Sequence, residues 1–307
     1  MDGRVSRMLP IPVIHASTAA DFLGTSCTGN RRGSLQNGRP PFCAQMCDEE
    51  TVIRIIWAIA EEYPYYGHRR VTMELRRRGL RVNHKKVYRI MREESLFPIP
   101  SRHRPPDTDA AVYADWDADS GEIGSGALLP YPNLVKGIDI VRPNQVWAAD
   151  ITCIKLEFEF VFLAVILDVY TRRCIGWSLG RTVHEGHILR ALRKALRNRK
   201  GDCIAGLILH SDQGIVYTSR NYREFAESRG INMSMSRRGN PYDNAYVERF
   251  FETLKYDEVY LNRYTAFEDA FENIMRFIEE VYNAKRLHSS LGYKPPMEFE
   301  EELASGA

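Results

Sequence analysis

Residues 144–152 read Asn-Gln-Val-Trp-Ala-Ala-Asp-Ile-Thr, an apolar run with one aspartate, Asp150, inside it. A carboxylate in a buried strand is expensive unless a cation or a partner offsets it, so this one stands out. Working outward, strands are expected at 145–156, 158–170 and 173–179, a helix near 185–197 and a strand at 204–210. Two more helices and a short strand follow. Three consecutive strands and then alternating helix and strand make a mixed sheet with helices on its faces. The fold class is therefore α/β, and the order suits a ribonuclease-H-like core over 143–260.

Acids at strand ends suit one kind of chemistry. Phosphoryl transfer needs an activated oxygen, a stabilised leaving oxygen and neutralised phosphate charge, and two Mg2+ (or Mn2+) ions about 3.5–4 Å apart meet all three needs. Being hard cations, they ask the protein only for a few converging carboxylates. Asp212 lies in His210-Ser-Asp-Gln-Gly214, after the apolar run 207–209, at the C-terminal edge of a strand where such sheets place ligands. Glu248 follows after 35 intervening residues, on a helix whose buried stripe is Val247, Phe250, Phe251 and Leu254. Asn244, Glu248, Glu252 and Lys255 share the neighbouring stripe. On that geometry Glu248 reaches the edge where Asp150 and Asp212 converge, and Lys255 points toward a phosphate. Singly, each acid reads as a turn, a cap or a surface charge; the joint spacing makes them candidates.

Upstream the texture is helical. Ile53, Ile56, Trp57 and Ile59 give 49–62 an apolar face, which Tyr63-Pro64 ends; a second helix over 69–78 stops at Gly79. Asn83 caps a third, in which Val87, Ile90 and Met91 share a face while Lys85, Lys86, Arg89 and Arg92 point elsewhere. This is helix-turn-helix grammar. Residues 48–97 are expected to be a small all-α DNA-binding domain, with Lys85, Lys86 and Arg89 as candidate contacts. The charge agrees: the chain's net charge is only +2, yet residues 69–92 hold ten Lys or Arg against Glu74 alone. A solvated basic face is the plainer alternative.

Residues 1–47, rich in Ser, Thr, Gly, Arg and Pro without a period, are expected to be disordered. Residues 98–142 are Pro-rich, then acidic from Asp107 to Glu122, then Gly-rich, and read as a flexible linker. Residues 261–307 read as a C-terminal helix and tail. No apolar run approaches the roughly 18–20 residues a bilayer needs, so no membrane partner is expected. Of six cysteines, at 27, 43, 47, 153, 174 and 203, three fall in or beside stretches that read as buried strand, as reduced cysteines do. Cys43 and Cys47 lack a second pair at zinc-ligand spacing.

From about 49 to 299 the chain resembles the second-frame (orfB) transposase of the IS3 family of bacterial insertion sequences, related to the retroviral integrases. The resemblance rests on Tyr66-Gly-His-Arg-Arg70, Val82-Asn-His-Lys-Lys-Val87, the stretches around Asp150 and Asp212, and Ser236-Arg-Arg-Gly-Asn-Pro-Tyr-Asp-Asn-Ala245 leading to Glu248, Phe251 and Lys255. Tyr282-Asn283, Arg286, His288 and Ser290-Leu-Gly-Tyr293 before Pro295 are similar too. It implies that Asp150, Asp212 and Glu248 are the catalytic DDE metal ligands, with the family's spacing, and that Lys255 is the basic residue placed after its glutamate.

The resemblance further implies a DNA transposase that cleaves element ends and joins them to target DNA by two-metal phosphoryl transfer. A homo-multimer on DNA, fusion or association with the first-frame (orfA) product, and a bacterial cytoplasmic location on the nucleoid follow from it. Residues 1–47 and 107–122 match no family motif, and no leucine-zipper heptads are seen. The rivals are a ribonuclease-H-type nuclease that only hydrolyses and an inactive DNA-binding relative.

Secondary candidates have ordinary readings. His210 reads as a strand-end histidine satisfied by backbone, Asp168 as a turn former, and Asp243 and Asn244 as helix caps. Arg286 and His288 read as packing after a helix. Arg237 and Arg238, in a Gly- and Pro-bearing loop before the Glu248 helix, are candidate DNA contacts.

Overall fold

The computed structural model describes residues 48–98, 131–236 and 244–306. The expected disorder of 1–47, the acidic stretch, Asp243, Arg237 and Arg238 lie outside the described residues.

Three helices come first: α1 (Glu49–Glu62), α2 (His68–Arg77) and α3 (His84–Glu93). Gly79 adopts φ 85°, open to glycine without strain, and turns the chain after α2. Asn83 caps α3 by accepting the Lys85 N–H at 2.9 Å. The helices share a core of Val52, Ile56, Ile59, Tyr66, Val71, Leu75, Val87, Ile90 and Met91, joined by Leu287 from far along the chain. Trp57 corrects the sequence reading. It is 47% exposed, and its indole N–H donates to Glu94 at 3.1 Å, because the buried stripe of α1 runs through Val52, Ile56 and Ile59 instead.

The sheet comprises β1 (Val146–Lys155), β2 (Phe160–Asp168), β3 (Cys174–Gly180), β4 (Ile208–Ser211) and β5 (Asn232–Met235), in the order β3-β2-β1-β4-β5. The first three strands are antiparallel, whereas β1, β4 and β5 run parallel. The expected α/β, ribonuclease-H-like order is the observed one. Between the strands lie α4 (Glu185–Asn198) and α5 (Arg220–Glu227); after β5 come α6 (Ala245–Asp257), α7 (Phe267–Arg276) and α8 (Pro296–Ser305). A π-helical turn, Phe277–Tyr282, extends α7.

Alternation along β1 builds one core on each face. Val146, Ala148 and Ile154 join Phe250, Leu254 and Ile274 under α6 and α7. Trp147 and Ala149 join Ile188, Leu192, Tyr222 and Ala226 under α4 and α5. At Gly176 a Cβ would sit 2.8 Å from the Ala195 Cβ, so the close seating of α4 on β3 requires glycine.

Three boundaries differ from expectation. The fourth strand starts at Ile208 rather than 204, because Gly206 turns the chain at φ 74°, and Cys203 is exposed in the loop before it. The linker reading stops short of 142. Tyr131 donates to Glu227 at 2.6 Å, the Leu134 N–H donates to Ser234 Oγ at 2.9 Å, and Val135 and Ile140 pack on the core. No separate tail begins at 261 either, since Ala270, Ile274, Phe277, Ile278 and Tyr282 share the core of β2 and α6.

The C-terminal stretch also reaches the helical unit. Tyr66 Oη accepts the Leu287 N–H at 2.9 Å, Arg70 Nε donates to the Leu287 carbonyl at 3.2 Å, and Arg77 forks onto Glu298 at 2.7 and 2.8 Å. Beside them Arg286 pairs with Asp257 at 2.6 Å, both buried. Leu287 is fully buried, worth about 1.5–3 kcal/mol of hydrophobic free energy.

Candidate active site

The parallel pairing of β1 and β4 runs as far as Ala148 against His210. Two residues further along that register Asp150 lies beside Asp212, just where β4 has ended at Ser211. Asp150 Oδ1 accepts the Ile151 N–H at 2.8 Å, and Asp212 Oδ1 accepts the Gly214 N–H at 3.0 Å, closing the turn that leaves the strand. Glu248 sits exposed in the first turn of α6, where the helix dipole favours an acid.

Burial raises all three carboxyl groups, and at Asp150 the charges of the other two add to it. Burial holds the Asp150 carboxyl well above the usual range, repulsion from Asp212 and Glu248 pushes the same way, and Lys255 opposes it. Burial also raises Asp212 against the pull of the Gly214 N–H, and raises Glu248, with Glu252 adding to it. The cluster is thus short of positive charge, and its donors are hard oxygens of the kind Mg2+ and Mn2+ prefer. Among the described residues, no three His, Cys, Asp or Glu side chains already stand close enough to hold one cation together.

Asn244 is a residue whose role sequence reasoning missed. It makes no side-chain cap to α6; instead its Nδ2 donates to the Ala149 carbonyl at 3.3 Å, and its buried Oδ1 has no hydrogen-bond partner. Its place on the Glu248 stripe was visible, but the strand it grips was not.

The other candidates fall into structural roles. His210 is buried, and its Nδ1 lies 2.9 Å from Ser234 Oγ on β5. Asp168 does form the turn: it accepts the Tyr170, Thr171 and Asn144 N–H groups and pairs with Arg199, which also binds Glu300. The His288 ring packs on Tyr282 at 4.8 Å between centroids, and burial, with Arg286 adding to it, pushes its pKa down to about 3.

On α3 two of the three basic candidates are neutralised. Lys86 pairs with Glu49 at 2.9 Å, and Arg89 pairs with Glu49 at 2.7 Å and Glu93 at 2.9 Å. Lys85 is exposed and has no ion pair among the described residues. It shares a stripe with Tyr88 and Arg92, also exposed, and the Tyr88 ring lies 5.2 Å from both His68 and Phe97. The helical spacing of Lys85, Tyr88 and Arg92 was the available signal.

The HTH-like domain family matches residues 47–104, and two Integrase core domain families match residues 141–241 and 229–296. The transposase for insertion sequence element IS904 of Lactococcus lactis subsp. lactis (strain IL1403) is 34% identical over 259 residues, covering 84% of this chain and 96% of that protein. Transposase InsF for insertion sequence IS3A of Escherichia coli (strain K12) is 32% identical, covering 84% of this chain and 83% of that one. The chain belongs to the IS3 family of insertion-sequence transposases. Among solved structures, the HTLV-2 integrase catalytic core domain in complex with magnesium is similar at 18% identity and a TM-score of 0.39, covering 51% of this chain and 96% of that chain. As an IS3-family transposase the protein is a polynucleotidyl transferase in reaction class. Among the described residues of this transposase, no helix is long and apolar enough to cross a membrane.

Proposed function

We propose that this transposase cuts the ends of its element to leave a free 3′-hydroxyl and joins that hydroxyl to target DNA, with Asp150, Asp212 and Glu248 holding two divalent cations, Mg2+ or Mn2+. The observation that carries the reading is the convergence of Asp150 and Asp212 at the edge shared by β1 and β4, where burial first and then the Asp212 and Glu248 charges disfavour an ionised Asp150 unless cations are added. When bound, the ions would activate the attacking oxygen and neutralise charge at the phosphate.

The chain's own residues position and protect. The Ile151 and Gly214 N–H groups fix the two aspartates, and α6 carries Glu248 and, two turns on, Lys255 for a backbone phosphate. Both displacements are in-line at phosphorus and need no covalent link to the protein. Residues 48–97 grip the element end, with Arg237 and Arg238 as further DNA contacts. Joining two ends takes at least two active sites, so copies assemble on DNA, on the nucleoid in the bacterial cytoplasm, fused to or associated with the first-frame product.

The test uses a labelled duplex bearing the element end, with wild type and Glu248→Gln compared in Mg2+ or Mn2+ and in EDTA. Nicking and joining that need the metal and vanish in the variant support the reading. Hydrolysis without joining points to a nuclease. Binding without cleavage, even with the first-frame segment fused on, points to an inactive relative.

A further inference from the structure

A basic face lies across the sheet from Glu248. The buried side chains of α4 and α5 belong to the core on one face of the sheet, those of α6 to the core on the other. On the outer side of α4, Arg190, Arg193 and Arg197 recur at helical spacing, Lys200 follows just past its end, and all four are exposed. From α5 and the turn after it come Phe225 and Arg229. Arg193, Arg197, Lys200, Phe225 and Arg229 line a cleft of about 330 Å3.

Arginine and lysine heads stand around the apolar floor that Leu196 and Phe225 give this cleft. The Arg193 and Arg229 guanidinium groups sit over the Phe225 ring at 5.1 and 3.6 Å, and Arg229 also donates to the Phe225 carbonyl at 2.9 Å. These contacts hold the cations in place without cancelling their charge. Among the described residues no carboxylate pairs with Arg193, Arg197, Lys200 or Arg229. The acids of α5 are engaged elsewhere, Glu224 with Arg220 and Glu227 with the Tyr131 hydroxyl. From Arg190 to Lys200 the row extends about 15 Å, a length of duplex that carries about four phosphates of one strand.

We infer that this face is a second DNA site, distinct from the carboxylate edge, and that it holds the phosphate backbone of the target duplex. Charge and spacing suffice to hold a duplex by its phosphates, and the face offers a row of cations along that backbone rather than base-reading groups. The inference rests on the proposed joining reaction, but its primary measurement is of binding and does not need catalysis.

The experiment compares wild type with the quadruple variant Arg193→Gln, Arg197→Gln, Lys200→Gln, Arg229→Gln. Anisotropy of an unrelated duplex is followed across a salt series, with thermal unfolding as the check on folding. The expected result is at least about tenfold weaker binding and a log affinity against log salt slope shallower by roughly 2–4. Cleavage at the element end stays within about twofold, while joining to target falls with the binding. An unchanged affinity and slope would overturn the inference, as would a change confined to self-association, which would assign the face to a protein partner. If wild type neither cleaves nor joins, the proposed reaction fails while the binding result still decides this site.

Discussion

The Asn244 side-chain amide donates to the carbonyl oxygen of Ala149, the residue immediately before Asp150, and so ties the start of the Glu248 helix to the Asp150 strand. An error of about 1 Å in the placement of reacting groups can cost on the order of 100-fold in rate. Asn244→Ala is expected to slow cleavage about 10- to 100-fold and to raise the Mn2+ concentration for half-maximal rate, with little change in DNA affinity. Equal metal dependence in variant and wild type would leave Asn244 a packing residue only.

Asp150→Asn removes the carboxyl group whose ionised form is disfavoured by burial and by the Asp212 and Glu248 charges. A carboxylate whose pKa is raised on folding stabilises the fold at low pH and loses that contribution as pH rises through its folded value. At neutral pH without metal the variant should therefore unfold roughly 2–4 °C higher, the shift that about 1 kcal/mol produces in a chain of this kind. It should also be inactive. A lower melting temperature in EDTA would contradict the repulsion argument.

His187 is fully buried, with Nε2 2.7 Å from the Ser178 carbonyl, and burial, with Arg190 and His184 adding to it, pushes its pKa down to about 4. The unfolded chain binds this proton near pH 6.5, so the contribution is present above that value and lost as pH falls toward 4. Relative to His187→Gln, wild type should lose up to about 1.4 kcal/mol per pH unit across that window. Urea melts at pH 7, 6 and 5 measure it; a constant difference would refute it.

Arg286 and Asp257 form a buried pair at 2.6 Å. Removing one partner strands the other, at a cost of about 3–5 kcal/mol, whereas replacing both with apolar groups is near neutral. Arg286→Ala should be severely destabilised, and Arg286→Met combined with Asp257→Leu should recover most of the loss in a denaturant titration. Failure of the double variant to recover would mean that the stacking of Arg286 over the Tyr65 ring carries the energy.

Along α3, Lys85→Ala, Tyr88→Ala and Arg92→Ala should each weaken binding of the element-end duplex more than Lys86→Ala or Arg89→Ala, whose charges already meet Glu49 and Glu93. Each cation removed from a DNA phosphate makes the salt slope shallower by about 0.9. The reverse ranking would mean that DNA displaces those acids.

Local chemistry made much of this architecture readable. The limits of α1, the Asn83 cap and the succession of strands and helices along the chain follow from period, capping and turn residues within a few positions of each other. What escaped depends on partners distant in sequence. The pairing of Arg89 with Glu49, the grip of Asn244 on β1 and the exposure of Trp57 are set by which helix faces which, and a single helix's pattern does not contain that. The same holds for Val135 and Ile140, two apolar residues in a background that otherwise reads as linker. The three acids stood out in the sequence as candidates: Asp150 within an apolar strand, Asp212 at a strand end and Glu248 on a helical stripe.

Leu287 completes the core of the first three helices, yet it leaves the ribosome roughly 200 residues after Met91, about 10–40 s later at ordinary rates of synthesis. Until then the helical unit has an open hydrophobic seam, and the nascent chain is an unfinished, aggregation-exposed intermediate. A chain that stops anywhere before that leucine leaves the seam open, so the stability of the helical unit is tied to completion of the polypeptide.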